Sequence, residues 1–264
     1  MPDQPVLLVD DAGGVRTLTL NRPDAYNSFT AELKETLLAE LRWAAGEPTV
    51  RAVVITGAGR AFSAGQDLRE HVEVLNADGD APMRTVDEHY NPLVRALTTM
   101  PKPVIAAVNG TAAGAGASLA FACDLRIAAE SAKFLLAFAG VGLSADTGAS
   151  WTLPRLVGYG RAMEMMLLGQ PVTAPEALRI GMVNRVVPDG TALAAASELA
   201  VSLAAGPTTA YARIKEAMLA AAGAELEQAL AIESRSQAEL AQTADHREAV
   251  QAFVAKRPPS FSGR

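Results

Sequence analysis

Short apolar runs alternate with stretches of helical period as far as residue 188, and beyond Thr191 only the helical period remains. Residues 6–9 and 15–20 flank Asp10-Asp11-Ala12-Gly13-Gly14, an arrangement that predicts a β-hairpin. Thr30 suits the N-cap of a helix carrying Leu33, Leu37, Leu38 and Leu41 on one face, and Gly46 and Pro48 stop it. Residues 50–56 predict a buried strand leading into Phe62-Ser63-Ala64-Gly65-Gln66-Asp67. Residues 70–85 are polar and mixed around Asp78-Gly79-Asp80 and predict an irregular segment, a lid or a mobile stretch. A helix is expected over 86–100, with Pro92 marking its firm start. Further strands are predicted at 125–129, 134–138 and 182–187, and helices at 150–156, 161–168 and from Pro175. The last part predicts four helices, at 192–205, 208–222, 225–241 and 245–256, with Asp245 and Glu248 as a capping box for the fourth. The pattern therefore defines an α/β chain: a strand-and-helix core over 1–190, then a helical region over 191–264 whose apolar faces suit packing on another subunit or on the core. No exact internal repeat is visible.

The rest of the chain is organised around residues 103–124, PVIAAVNGTAAGAGASLAFACD, which carry no charge before Asp124. Residues 104–108 read as a buried strand, and residues from about Ala115 to Cys123 as a buried helix. Gly110, Gly114 and Gly116 build the turn between them, where a ligand can approach the main chain. A helix starting there points free N–H groups and the positive end of its dipole into the turn, which suits an anion or an oxygen that becomes one. A membrane span is disfavoured by the alanine-glycine composition and the Asn109-Gly110 interruption. A dinucleotide fingerprint fails because Leu119 stands where its third glycine belongs. Close helix packing is the remaining plain explanation of the glycines.

Composition narrows the function classes. The chain has 264 residues, of which 50% are apolar and 20% charged, a globular balance. A net charge of −6 with no basic run argues against nucleic acid or an anionic membrane as partner. The acidic N-terminus carries no signal-peptide pattern, so a cytoplasmic location is expected. The single cysteine, Cys123, excludes an internal disulfide and reads as a buried, inert thiol. His71, His89 and His246 lack metal-ligand spacing, so no metal site is expected.

Three motifs together point to one family. Phe62-Ser63-Ala64-Gly65-Gln66-Asp67-Leu68, Lys102-Pro103-Val104-Ile105-Ala106-Ala107-Val108-Asn109-Gly110 and Cys123-Asp124-Leu125-Arg126-Ile127-Ala128 resemble the crotonase (enoyl-CoA hydratase/isomerase) superfamily. The resemblance runs from about residue 6 to the end. It implies a spiral of ββα turns with a C-terminal helical trimerisation region, assembled as a homotrimer or dimer of trimers. It implies an acyl-CoA thioester as substrate, with coenzyme A part of that substrate and no separate cofactor. The family's oxyanion hole uses two backbone N–H groups, which fall here on Gln66 and Ala115. CoA is expected along Asp24-Ala25-Tyr26 and Ser63-Ala64-Gly65-Gln66, with Lys256 of a neighbouring subunit within reach.

The carboxylates decide which reaction the resemblance implies. Hydratases of the family use two glutamates, and those positions hold Ser118 and Phe138, neither of which is a base near neutral pH. Asp146, in Gly142-Leu143-Ser144-Ala145-Asp146-Thr147-Gly148, is the carboxylate that remains, in a loop where isomerases and a dehalogenase of the superfamily carry a functional aspartate. An aspartate before Thr-Gly is also a common turn or helix cap. Tyr90-Asn91-Pro92-Leu93-Val94-Arg95-Ala96-Leu97 and Ala112-Ala113-Gly114-Ala115-Gly116-Ala117 resemble the isomerase branch most, although Ser144-Ala145 departs from the Ile-Pro expected there. Phe138 and Asn91 stand where the dehalogenase has its tryptophan and histidine. The expected function is an acyl-CoA isomerase using Asp146. The alternatives are a hydratase or hydrolase recruiting Asp67 or Glu70, and a non-catalytic CoA-binding protein.

Overall fold

A computed structural model describes residues 5–77 and 83–264. β1 (Leu7–Ala12) and β2 (Val15–Leu20) form the expected hairpin, but its turn needs only Gly13 and Gly14, both left-handed at φ 59° and 78°. Asp10 and Asp11 continue β1 instead of leaving it. α1 (Ala31–Gly46) starts at Thr30, whose hydroxyl accepts the Leu33 N–H at 3.3 Å. β3 (Ala52–Gly57) and β4 (Ala61–Ser63) follow, and then α2 (Leu68–Ala77). The segment expected to be irregular therefore begins as a helix, because the Asp67 carboxylate accepts the N–H groups of Arg69 and Glu70 at 3.0 and 3.3 Å and caps it. Asp78-Gly79-Asp80 lie outside the described residues. A π-helical turn (Val86–Tyr90) runs into α3 (Asn91–Thr98), with Pro92 in its first turn.

The central stretch folds as β5 (Val104–Val108), β6 (Thr111–Ala113) and α4 (Ala115–Ala122), so a short strand lies inside what reads as a glycine turn. Every residue of α4 is buried, which explains its lack of polar positions. β7 (Leu125–Ala129) and β8 (Lys133–Leu135) come next, the latter ending before Phe138. Then follow α5 (Ala149–Val157), α6 (Tyr159–Leu168), β9 (Val172–Thr173), α7 (Ala174–Arg179) and β10 (Arg185–Val187). The chain closes with α8 (Ala192–Ala204), α9 (Thr208–Ala221), α10 (Leu226–Leu240) and α11 (Ala244–Val254).

Two sheets organise these elements. The larger has the order β1-β2-β3-β5-β7-β10 and is parallel except for β1; the smaller has the order β4-β6-β8-β9. β3–β4, β5–β6 and β7–β8 each cross from the large sheet to the small one before a helix, so the fold is a spiral of ββα turns. The turns repeat in structure without repeating in sequence, because strands of three residues are too short to impose a period. One apolar core fills the space between the sheets and α1, α3, α4 and α5. A second lies where Ala196, Ala200 and Ala204 of α8 pack on Val54, Ile105 and Ile127. α8 thus covers the large sheet, the packing on the core that the helical region was expected to allow. α9 buries no residue in the single chain, although Lys215 reaches the core to pair with Asp124 at 2.6 Å.

The capping box expected at Asp245 and Glu248 does not form. Thr243 caps α11 by accepting the His246 N–H at 3.1 Å. Asp245 is instead buried and accepts the N–H groups of Ser262 and Gly263, tying down the C-terminus. The reciprocal box is found on α10, between Glu225 and Gln228. Cys123 is buried as expected, and burial pushes its thiol up to about 12, which leaves it unreactive.

Candidate active site

A cavity of about 720 Å³ opens between the ends of β4 and β6 and the segments that follow α2 and β8. Its floor is main chain. The Ser63-to-Asp67 loop is stitched to the residues before α1: Ala64 N–H donates to Tyr26 O, Phe29 N–H to Gly65 O and Asp67 N–H to Phe29 O, at 2.7–3.0 Å. Gly65 sits at φ +87°, and a Cβ placed there would lie 2.8 Å from Ala113 O and 3.1 Å from Ala115 N. The first turn of α4 therefore presses directly against this loop. Gly116 makes the same contact from the other side, since a Cβ there would meet Ser63 O at 2.5 Å. Gln66 and Ala115 both line the cavity. Neither N–H finds an acceptor among the turn, loop and cap hydrogen bonds of the described residues. Two unpartnered donors on abutting loops can grip one oxygen.

Asp146 faces the same cavity from the loop before α5. Its carboxylate does not cap α5, whose N-cap position is Gly148, although its main-chain carbonyl accepts the Ala149 N–H at 3.0 Å in a turn. Thr147 is buried at φ +50°, a left-handed conformation unusual for a β-branched residue, and its hydroxyl donates to Asp146 Oδ1 at 2.9 Å. Burial raises the Asp146 pKa above the ordinary carboxylate value, with the Thr147 hydrogen bond and the charge of Lys34 opposing it. A carboxyl shifted this way exchanges protons more readily near neutral pH.

The remaining sequence-marked residues divide clearly. Ala25 and Ala64 line the cavity, and so do Asp24 and Tyr26. Ser63 and Gly65 do not: the Ser63 hydroxyl is fully buried, donates to Asn27 O and accepts the Gly65 N–H. These two residues shape the loop from behind. Lys256, at the end of α11, is exposed and outside this cavity. Ser118 turns its hydroxyl back onto Gly114 O, while Phe138 presents an apolar surface to the cavity. His89 is held by Thr85 and Glu35.

The carboxylates of the alternative reading are committed to main chain and ion pairs. Glu70 accepts the Ala31 N–H with both oxygens at 3.0 Å, at the start of α1. Asp67 takes Arg22 and the Ser28 hydroxyl at 2.8 Å besides capping α2. Burial would raise its pKa, but those hydrogen bonds outweigh burial and lower it from the ordinary 3.8 to about 2. A base that weak removes few protons from carbon acids. A depressed carboxyl stabilises the fold above pH 3.8, and that stabilisation disappears as the pH falls through about 2. Asp67→Asn should therefore cost about 2 kcal/mol of unfolding free energy at pH 7 by denaturant titration, with the deficit shrinking towards pH 2. An equal deficit at both ends would remove the ionic origin.

Three side chains at the site were not marked by the sequence reading. Lys34 is buried in the stripe of α1, Tyr90 is buried at the end of the π turn, and Gln66 contributes its side chain as well as its N–H. Gln66 Oε1 accepts from Lys34 Nζ at 3.1 Å and from Tyr90 OH at 2.6 Å. A lysine three and seven residues before Leu37 and Leu41 was the available signal, since charge on an apolar stripe needs a buried partner.

Fold, loop geometry and sequence comparison agree. The enoyl-CoA hydratase/isomerase family model matches residues 10–264, and the chain belongs to that family. It is 46% identical over 252 residues to the 1,2-epoxyphenylacetyl-CoA isomerase of Escherichia coli K12, covering 95% of this chain and 96% of that one. It is also 46% identical to a probable enoyl-CoA hydratase of Rhodobacter capsulatus, covering 95% of each. A crystal structure assigned to the same hydratase/isomerase class, from Mycobacterium abscessus, superposes with a TM-score of 0.94 at 44% identity, over 98% of this chain and all of that one. The chain is thus a crotonase-fold enzyme of the enoyl-CoA hydratase/isomerase class. Among the described residues, no helix is long and apolar enough to cross a membrane.

Proposed function

We propose that this enzyme isomerises an acyl-CoA thioester, with Asp146 as the proton shuttle and the N–H groups of Gln66 and Ala115 as the oxyanion hole. The observation that carries this reading is a carboxylate of raised pKa facing a cavity floored by two main-chain donors that have no acceptor among the described residues. The donors polarise the thioester carbonyl. Asp146 takes a proton from a carbon next to that carbonyl or conjugated with it, and the negative charge moves onto the thioester oxygen. The same carboxyl returns the proton at another carbon, so atoms and charge balance without a co-reactant. Each donor is worth on the order of 3 kcal/mol in the transition state. The identity to an epoxyphenylacetyl-CoA isomerase and the apolar walls contributed by Phe138, Val141 and Leu143 support an aryl-epoxide or enoyl thioester as substrate. Met218, Leu226, Phe253 and Val254 are exposed apolar residues of the terminal helices, and they support assembly as a trimer or dimer of trimers.

The equal identity to a probable enoyl-CoA hydratase supports water addition as the second reading. Mass spectrometry of the products from aryl-epoxide, Δ3-enoyl and Δ2-enoyl thioesters separates the two. Isomerisation leaves the mass unchanged and, in deuterated water, exchanges hydrogen at carbon. A product heavier by one water as the dominant outcome would replace the isomerase reading with hydration.

A further inference from the structure

Lys34 is a buried charge beside the cavity that the reaction above leaves unused. Its side chain is 1% exposed, and it stands behind the cavity wall, not in it. Nζ donates to Gln66 Oε1 at 3.1 Å and to Thr85 Oγ1, and lies 4.9 Å from the centre of the Tyr90 ring. Glu70 is 4.0 Å away and is already shared with the start of α1. An ammonium without a close, exclusive counter-ion is expensive to bury, so its retention calls for a role. The charged and titratable groups around it are Glu35 on its own helix, Asp67 and Glu70 at α2, Tyr90 and His89 of the π turn, and Asp146.

We propose that Lys34 is a positioning residue of the site: through Gln66 and Tyr90 it holds one half of the oxyanion hole in register. The assignment follows from the hydrogen bonds. Gln66 Oε1 is clamped between Lys34 Nζ and Tyr90 OH, so the residue whose backbone N–H faces the thioester cannot turn. The positive charge of Lys34 also bears on Asp146, where it favours the carboxylate. The direction agrees on both sides: Lys34 lowers the proton affinity of Asp146, and Asp146 raises that of Lys34, although burial lowers the latter overall.

The proposal rests on Asp146 acting as the base, and the test keeps the two apart. Lys34→Met keeps the length of the side chain and removes its charge and hydrogen bonds. In this variant kcat should fall about ten- to hundredfold with little change in KM, because only the placement of reacting groups is lost. The acid limb of the kcat profile should move to higher pH. Carboxyl-selective carbon NMR on the enzyme without substrate should show Asp146 titrating at higher pH in the variant, a readout independent of turnover. Tyr90→Phe should lower kcat through the same clamp but leave the acid limb in place, since no charge is removed; it also covers the case in which Lys34→Met does not fold. If Lys34→Met leaves kcat within twofold, the positioning role is wrong. If instead Asp146→Asn retains turnover, the isomerase reading fails first, whatever Lys34 does.

Discussion

Asp146→Asn should abolish useful turnover while leaving the protein at least as stable as before. General acid–base catalysis by one positioned group contributes about 10²- to 10⁴-fold, and a loss in that range is expected in kcat. Thioester binding should persist, because the proposed site offers main chain and the walls near Ala25, Ala64 and Tyr26, none of which the substitution touches. The stability sign follows from the raised pKa. A buried carboxyl that holds its proton more tightly in the folded state is stabilising only below its unfolded value, and that contribution vanishes as the pH rises through the folded one. At neutral pH the ionised carboxylate is therefore a cost, which Asn removes while still able to accept from Thr147. The melting temperature at pH 7 should match or exceed that of the wild type. At pH 4 the difference should shrink. A variant that loses activity together with several degrees of melting temperature would point to a structural role for Asp146, and one that keeps its activity would leave the site without its base.

The architecture was legible where a period or a capping residue was long enough to read. Thr30, the 33–41 stripe and the apolar runs of β3, β5 and β7 each stand in the sequence much as they stand in the fold. β6 and β9 were not legible, because two or three residues carry no period and are paired only by the sheet they join. α2 was missed because its residues are polar on most faces, and the cap that starts it, Asp67, is also half of an ion pair. At the site, main-chain positions such as Gln66 and Ala115 could be placed only through the family motif, since any residue supplies an N–H. Side-chain direction was beyond the pattern. Ser63 lies in the motif loop yet points away from the cavity, and Asp245 looked like a cap yet anchors the C-terminus. Lys34 was legible in principle as a charge out of place, but its partners Gln66 and Tyr90 lie 32 and 56 positions away in the chain, too far for local spacing to connect.

Gly65→Ala tests the oxyanion hole without touching an acid or a base. The residue sits at φ +87°, beyond the left-handed range that L-residues tolerate, and an added methyl would lie 2.8 Å from Ala113 O. Both neighbours of that methyl, Ala113 O and Ala115 N, are backbone, so no side chain can swing aside to admit it. The Ser63-to-Asp67 loop and the start of α4 must separate, and with them the N–H groups of Gln66 and Ala115. Loss of one donor from such a pair lowers kcat by about 10²- to 10³-fold, and that is the expected effect. The backbone strain alone is measured by Gly190→Ala, at φ +78° with no atom within 4 Å of the new methyl. That variant should lose a modest amount of stability and keep wild-type turnover. With both variants folded, a kcat for Gly65→Ala within a few-fold of Gly190→Ala would mean that the two loops are not the pair that holds the thioester oxygen, because crowding them apart would then have cost nothing in the transition state.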